Sequence, residues 1–186
     1  MKLTVGVSNR HIHLNESDYK VLFNDTVFEK KNDLKQPGEF ASTLTVTIKS
    51  DKDTISNVRV LGPIRGYSQI EICKTDAYKL GINPDIRKSG DILNCPSLEV
   101  IGPCGSVDVN VIIPERHIHI SKTMLDNYGL DANKSYNVLV GGIKGGILSN
   151  VKLKVTDDAF FEMHLDTDDA NAFLLKNNDI VELIEE

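Results

Sequence analysis

Apolar and polar residues alternate along several stretches of the chain. In 43–50, 106–113 and 150–155, apolar residues recur at every second position, so one face of each stretch is hydrophobic. A period of two is typical of β-strands with one buried face. Glycine, proline and asparagine interrupt these runs, and we interpret "GGIKGG" (141–146) as a hairpin turn. The pattern predicts a mainly β protein built as small barrels or sandwiches.

Helical segments are few and short. Each candidate begins after a residue whose side chain can cap a helix N-terminus. The predicted helices are 16–23 after Asn15, 76–80 after Thr75, 122–128 after Ser121, and 168–176 after Thr167. The second and third are followed by Gly81 and Gly129, and glycine readily ends a helix.

Two pairs of segments show an internal repeat. "RHIH" occurs at 10–13 and again at 116–119, and "ISNVRV" at 55–60 resembles "LSNVKL" at 148–153. The chain therefore consists of two homologous halves rather than an array of many short units.

Every histidine of the chain falls into a pattern that suits metal binding. Residues i and i+2 of a strand project from one face, with their roots about 7 Å apart, so each His-x-His pair can reach one ion. Continuing the second repeat match forward aligns Glu71 with His164 and gives each pair a third ligand. The predicted ligand sets are His11, His13 and Glu71, and His117, His119 and His164. Three imidazole or carboxylate ligands suit zinc or a similar divalent ion and leave a coordination position open for catalysis. The alternative is that these histidines are hydrogen-bonded residues on a solvated sheet face.

Other polar residues near these ligands have candidate roles. Arg65 shares a face with Glu71 if one strand runs through Gly66, and it would bind a phosphate or carboxylate; otherwise it is a surface arginine paired with an acid. Arg10 and Arg116 precede the His-x-His pairs and are expected to point away from the ions in a supporting role. Cys73 could be a ligand or nucleophile, but its repeat partner is Asp166, which favours a buried bystander.

Composition excludes several classes of function. A net charge of -6 argues against nucleic-acid binding, and no apolar run is long enough to span a bilayer. The three cysteines are odd in number and lack a C-x-x-C spacing, so neither a disulfide framework nor a thiolate zinc site is expected. Because the first residues also lack an apolar signal segment, we expect a cytoplasmic protein.

Five motifs, in order and over nearly the whole chain, resemble the PduL-type phosphotransacylases, also called phosphate propanoyltransferases. The motifs are "VSNRHIHL", "QPGEFA", "NVRVLGPIRGYSQIEI" followed after Cys73 by "KTDA", "RHIHIS" and "EMHLDTDDANAF". The resemblance implies reversible transfer of a short acyl group, propanoyl or acetyl, between coenzyme A and inorganic phosphate. Acyl-CoA, CoA, phosphate and acyl phosphate are the implied small-molecule partners.

The resemblance also implies a fold and site residues. Family members hold two divalent metal ions, usually Zn²⁺, and the two ligand sets above fall on the family's ligand positions. Arg65 falls on its phosphate-binding arginine, and Tyr78 lies where an aromatic residue sits near the CoA adenine. The implied fold is two small β-barrel domains related by the internal repeat, with a few short capping helices. One domain comprises 10–114, and the other 115–186 completed by the N-terminal strand 1–9.

Assembly and location are further implications. Members form homodimers or larger homo-oligomers, with CoA near a subunit interface. Members packaged in bacterial microcompartments usually carry an amphipathic N-terminal extension, and this chain begins a few residues before its first motif. We therefore expect a cytoplasmic enzyme rather than one in the microcompartment lumen.

The sequence also favours one mechanism and leaves three alternative functions to be considered. No residue is an evident covalent nucleophile, so we predict direct transfer in a ternary complex. A cupin-like oxygenase or isomerase would place a glutamate shortly after the first His-x-His pair, as Glu16 is placed, but "HIHISKTM" offers no counterpart. A dimetal hydrolase and a non-catalytic, metal-stabilised module are the remaining alternatives.

Overall fold

Short β-strands make up most of the fold. The computed structural model describes residues 1–184 of the chain. Its strands are β1 (Lys2–Ser8), β2 (His11–His13), β3 (Lys30–Asp33), β4 (Phe40–Lys49), β5 (Thr54–Gly62), β6 (Gln69–Glu71), β7 (Ile86–Arg87), β8 (Ser97–Ile101), β9 (Ser106–Pro114), β10 (His117–Ser121), β11 (Ser135–Val140), β12 (Gly146–Thr156), β13 (Glu162–Asp166) and β14 (Ile180–Ile184). Its helices are α1 (Glu16–Phe23), α2 (Lys74–Leu80), α3 (Lys122–Tyr128) and α4 (Thr167–Phe173).

Capping side chains start α1 and α3 where the sequence predicts. The Asn15 side chain accepts a hydrogen bond from the backbone N–H of Asp18 at 2.8 Å, and Ser121 Oγ accepts one from Met124 at 3.2 Å. Each bond satisfies a backbone donor that has no partner within the helix. Gly129 then ends α3 in a left-handed conformation with φ of 64°.

The predicted starts of α2 and α4 are wrong. Helix α2 begins at Lys74 after Cys73, so Thr75 lies inside its first turn. Helix α4 is capped by Asp166, whose carboxylate accepts from the backbone N–H of Asp169 at 2.9 Å. It also stops at Phe173 rather than at 176, because Leu174 adopts a left-handed φ of 57°.

The chain from Glu115 onward joins Met1–Ser8 in one compact unit. Its strands close a six-membered barrel in the order β1-β13-β10-β12-β11-β14. Closure depends on β1, which pairs in parallel with β13 and antiparallel with β14. Buried apolar side chains from the strands fill its core, among them Val5, Ile118, Val151 and Met163.

Residues Asn9–Pro114 form a second compact unit. The strands follow one another as β4-β5-β2-β6-β9, and β8 pairs with both β9 and β4, which closes this ring of six as well. Strands β3 and β7 add to β4 and β9 outside the ring. Its core includes Ile12, Val60, Ile70 and Val111. The predicted mainly β fold with two small barrels is therefore confirmed.

Strand pairing repeats between the two barrels. Strand β2 runs parallel to β5 and antiparallel to β6, and β10 does the same with β12 and β13. Val111 of β9 stands beside Ile70 of β6, as Val5 of β1 stands beside Met163 of β13. In the chain, however, β1 comes directly before β2 and β9 directly before β10. Strand β1 nevertheless belongs to the barrel that contains β10, and β9 to the barrel that contains β2. The two halves have therefore exchanged their first strands, and we call β1 and β9 the exchanged strands.

Candidate metal centres

His11, His13 and Glu71, the first ligand group, lie on two neighbouring strands of the barrel formed by Asn9–Pro114. His11 on β2 stands directly across from Glu71 on β6. The Glu71 carboxylate oxygens lie 3.4 Å from His11 Nε2 and 3.9 Å from His13 Nε2. One ligand atom from each residue lies within 4.8 Å of the others, and all three side chains are buried. The structure thus brings this predicted set together.

His117, His119 and His164, the second ligand group, repeat the arrangement in the other barrel. His117 on β10 stands directly across from His164 on β13. The Nε2 atoms of His117 and His119 are 3.2 Å apart, and the rings of His119 and His164 have centroids 4.5 Å apart. The ligand atoms again lie within 4.8 Å of one another. Glu71 and His164 therefore occupy equivalent places, as the repeat predicts.

Backbone carbonyls orient the first histidine of each group. His11 Nδ1 lies 2.8 Å from the carbonyl oxygen of Asn9, and His117 Nδ1 lies 2.9 Å from that of Glu115. Because a carbonyl only accepts, the proton belongs on Nδ1, which leaves the Nε2 lone pair facing the other ligands. This is the usual tautomer control of a metal-binding histidine. Both groups thus fit a divalent ion such as zinc in donor type and spacing.

Opposed charges dominate the electrostatics of the first ligand group. Burial acts to lower the pKa of His11, but the neighbouring Glu71 carboxylate outweighs it and leaves that pKa above its ordinary value. Burial likewise acts to raise the pKa of Glu71, yet His11, His13 and the Ser89 hydroxyl hold it well below its usual range. Glu71 is therefore ionised, as a metal ligand must be.

Arg65 reaches this site from a loop. Strand β6 starts at Gln69, so the single strand through Gly66 that would align Arg65 with Glu71 is wrong. The Arg65 guanidinium instead donates to Glu39 at 3.0 Å and to Ser89 Oγ at 3.4 Å. Ser89 Oγ in turn donates to Glu71 at 3.0 Å. The Ser89 hydroxyl thus links Arg65 to the Glu71 carboxylate of the first ligand group. The positive charge of Arg65 also opposes protonation of His11.

Sequence reasoning missed two polar neighbours of Glu71. The Gln69 amide donates to Glu71 at 2.6 Å and to Ser89 at 3.0 Å, while its oxygen accepts from the backbone N–H of Gly90 at 2.8 Å. Gln69 was detectable, since it lies two residues before Glu71 on the same strand face. Ser89 was not, because it sits in a loop after β7 with no periodicity to mark it.

The second ligand group also has a missed neighbour, Glu162. It lies directly across from His119, is buried, and approaches His164 Nε2 to 3.0 Å. Its position two residues before His164 matches that of Gln69 before Glu71, so the repeat contained the signal.

The structure also shows the surroundings of three other residues considered from the sequence. Tyr78 lies on α2 with 78% of its surface exposed and the Lys52 ammonium 5.0 Å from its ring centroid. Cys73 is buried at the N-cap of α2. Glu16, the glutamate that a cupin-like site needs, is exposed on α1 and pairs with Lys20 at 2.8 Å. The cupin-like alternative therefore lacks its ligand.

Comparison with known proteins identifies the family to which the chain belongs. The family model for phosphate propanoyltransferase matches residues 4–176, a span that contains both ligand groups. The chain belongs to the phosphate propanoyltransferase family. The predicted resemblance to the phosphotransacylases is thereby confirmed.

Curated relatives of the family are similar over nearly the whole chain. A phosphate propanoyltransferase of Rhodopseudomonas palustris is 43% identical over 98% of this chain and 82% of its own length. One of Thermotoga maritima is 41% identical over 98% of this chain and 89% of its own length. One of Salmonella typhimurium is 42% identical over 91% of this chain and 82% of its own length. Family membership makes this chain a transferase, and the predicted acyltransferase class is confirmed.

Within residues 1–184, no helix combines the length and the apolar character that crossing a bilayer requires.

Proposed function

We propose that this chain reversibly transfers a propanoyl or acetyl group between coenzyme A and inorganic phosphate, with one divalent ion held by each ligand group. The observation that carries the proposal is the first ligand group with Arg65 beside it. A buried, ionised Glu71 and two imidazoles suit an ion, and a guanidinium close by suits an anion. The site therefore combines groups suited to a metal ion with a group suited to phosphate.

The proposed reaction exchanges one bond for another at the acyl carbon. A phosphate oxygen attacks the thioester carbonyl, the carbon–sulfur bond breaks, and the electron pair leaves with the CoA sulfur as thiolate. Zinc or a similar ion, when bound, would polarise the carbonyl and keep the sulfur deprotonated. The reverse reaction uses the thiolate as nucleophile and releases phosphate.

The protein's own side chains supply orientation in this scheme. Arg65 would grip two phosphate oxygens, and its contact with Glu39 at 3.0 Å holds the guanidinium plane in place. Gln69 and Ser89 both donate to Glu71 and so fix its carboxylate. Holding reactants in position lowers the activation barrier of such a transfer by several kcal/mol, roughly 7 to 11 in the best cases.

Direct transfer has one rival within this site, an acyl-serine on Ser89. The Ser89 hydroxyl donates to Glu71, an arrangement that also occurs where a carboxylate activates a nucleophile. We favour direct transfer because Ser89 shares Glu71 with Gln69 and two histidines. Mass spectrometry after mixing with propanoyl-CoA in the absence of phosphate should show no acylated Ser89.

A thioester assay tests the function as a whole. Purified protein is mixed with CoA and propanoyl or acetyl phosphate, and thioester is followed with and without a chelator. We expect thioester to form with metal-replete protein and to stop after chelation. Release of free acid without thioester would instead identify a hydrolase, and no turnover with either substrate would support a non-catalytic module.

Assembly and cofactor contacts extend the proposal. We propose that Tyr78 stacks on the CoA adenine, since an exposed aromatic ring beside a lysine suits a base with attached phosphates.

A homodimer or larger homo-oligomer stays a prediction, which light scattering would test. The cytoplasmic location and the two-domain boundaries at 10–114 and 115–186 with 1–9 also stay predictions.

A further inference from the structure

Glu162 and Gln69 occupy equivalent places in the two halves of the chain. Gln69 lies opposite His13 on the neighbouring strand, and Glu162 lies opposite His119. Each side chain is buried and sits two residues before the third ligand of its group. The segment reads Gln-x-Glu at 69–71 and Glu-x-His at 162–164. In the first half the carboxylate is the third ligand itself, whereas in the second half it stands two residues before the third ligand.

Hydrogen-bond polarity follows this exchange. Glu71 can only accept, and its neighbour Gln69 donates to it at 2.6 Å. His164 can donate from Nε2, and a carboxylate at Glu162 can accept that proton; Glu162 Oε2 lies 3.0 Å from His164 Nε2. Each third ligand therefore has the neighbour whose hydrogen-bonding capacity it needs.

The exchanged strand β1 makes room for Glu162 and holds it. Thr4 stands beside Glu162, and its hydroxyl donates to Glu162 Oε1 at 3.3 Å. Gly6 stands beside His164, and a methyl group there would come within 2.8 Å of both Glu162 Oε2 and His164 Cδ2. At the equivalent place in the other barrel, Ile112 stands beside Glu71. The absence of a side chain at Gly6 thus accommodates the Glu162–His164 pair.

We propose that Glu162 positions His164 in the second ligand group and supplies the negative charge that Glu71 supplies in the first. By accepting the Nε2 proton, Glu162 leaves the Nδ1 lone pair of His164 for a metal ion and makes the imidazole a stronger donor. Each barrel then combines one buried carboxylate with its histidines. This inference rests on the proposed function, in which each group holds a divalent ion.

Metal binding to Glu162→Gln tests the inference. Metal-free protein is titrated with Co²⁺, and the visible spectrum and the affinity of each equivalent are recorded. Replacing such a partner of a ligating histidine typically weakens metal binding about 10- to 100-fold, and we expect that loss for one of the two equivalents. Glu182→Gln, an exposed glutamate of the same barrel on β14, is the matched control and should bind both ions as the wild type does.

A double variant separates positioning from a general loss of structure. Glu162→Gln combined with His164→Glu recreates the Gln-x-Glu pattern of the first group. We expect this pair to bind the second ion more tightly than Glu162→Gln alone, since the amide again faces a carboxylate. His164→Glu alone would place two carboxylates side by side and should bind less tightly than the pair.

The outcomes distinguish two kinds of failure. If wild-type protein takes up no Co²⁺, the proposed metal centres are wrong. If the wild type binds two ions but Glu162→Gln binds both with unchanged affinity and spectrum, Glu162 has no part in the centre. A double variant no better than Glu162→Gln alone would likewise contradict the exchange of roles.

Discussion

Arg10 and Asp76 form a two-contact ion pair, in which the guanidinium Nε and Nη2 each lie 2.9 Å from a carboxylate oxygen. Arg116 and Asp169 form the same pair in the other half, at 2.6 and 2.7 Å. Each pair ties the residue before a His-x-His strand to the helix that follows the third ligand. The arginines therefore point toward these helices, which agrees with the supporting role expected of them.

Breaking the two pairs should cost different amounts of stability. The Asp76 side chain is 6% exposed and that of Asp169 is 23% exposed. Breaking a fully buried pair costs about 3 to 5 kcal/mol, but Arg10 is partly solvated and can rehydrate, so we expect about 2 kcal/mol for Asp76→Asn. For Asp169→Asn we expect about 1 kcal/mol. Urea unfolding measures both, and equal losses would contradict the role of burial.

Metal content should fall in steps when a ligand is removed. We expect His13→Gln and His119→Gln each to lose about one equivalent of bound ion, because a three-ligand site rarely survives with two. Elemental analysis of the purified variants measures this. If a variant retains the wild-type metal content, the ligand group that it alters does not bind an ion.

Replacing Arg65 should impair phosphate use more than CoA use. A hydrogen bond to a charged group contributes about 1.5 to 3 kcal/mol, so Arg65→Ala should lower kcat/KM for phosphate roughly 10- to 100-fold. Arg87→Ala is a suitable control, since that guanidinium pairs with Asp85 and Asp91 near the surface. Equal losses toward phosphate and CoA would indicate that Arg65 serves the fold alone.

Tyr78 should matter for CoA through its ring and not through its hydroxyl. Stacking of a base on an aromatic side chain contributes about 1 to 3 kcal/mol, so Tyr78→Ala should raise the KM for CoA roughly 5- to 100-fold. Tyr78→Phe keeps the ring and should leave that KM near the wild-type value. Steady-state kinetics with CoA as the varied substrate measures both, and matching behaviour of the two variants would contradict stacking.

Stability of the metal-free protein should depend on pH through His11 and Glu71. The lowered pKa of Glu71 adds stability above its unfolded value of 4.5, and this is lost as the pH falls toward the folded pKa. The raised pKa of His11 adds stability below its unfolded value of 6.5, and this is lost as the pH rises through the folded pKa. The pair therefore contributes most between these two values.

Urea unfolding of chelated protein across that range measures the effect, with Glu71→Gln as the comparison. The difference in unfolding free energy between wild type and variant should be greatest in the window and shrink on both sides. Bound metal requires a neutral His11, so saturating metal should abolish the loss on the alkaline side. A difference that does not change with pH would exclude the ion pair.

The sequence contains much of the fold and of the candidate centres because both follow simple periods. Alternation by two marks the strands, and the repeat aligns Glu71 with His164, which the structure places at equivalent positions. Asn15 and Ser121 mark helix starts correctly because their side chains cap through a local bond.

Residues that come from loops could not be predicted in the same way. Ser89 reaches Glu71 from a segment with no periodic pattern, and Arg65 reaches Ser89 from a loop although a continuous strand was expected. The starts of α2 and α4 were misplaced because several residues there can precede a first turn. At α4 the deciding bond is the local one from the Asp169 N–H to Asp166, and at α2 the N-cap residue Cys73 makes no side-chain cap bond.

The exchanged strands determine the order in which the two barrels can be completed during translation. The barrel of Asn9–Pro114 has all its strands once β9 has emerged, so it can close while the rest is still being made. The other barrel needs β1, which comes before β9 in the chain, together with β13 and β14, which come after it. Strand β1 therefore keeps unpaired edges until β13 and β14 have been made. Nascent chains stalled before β14 should hold one finished barrel and one open one.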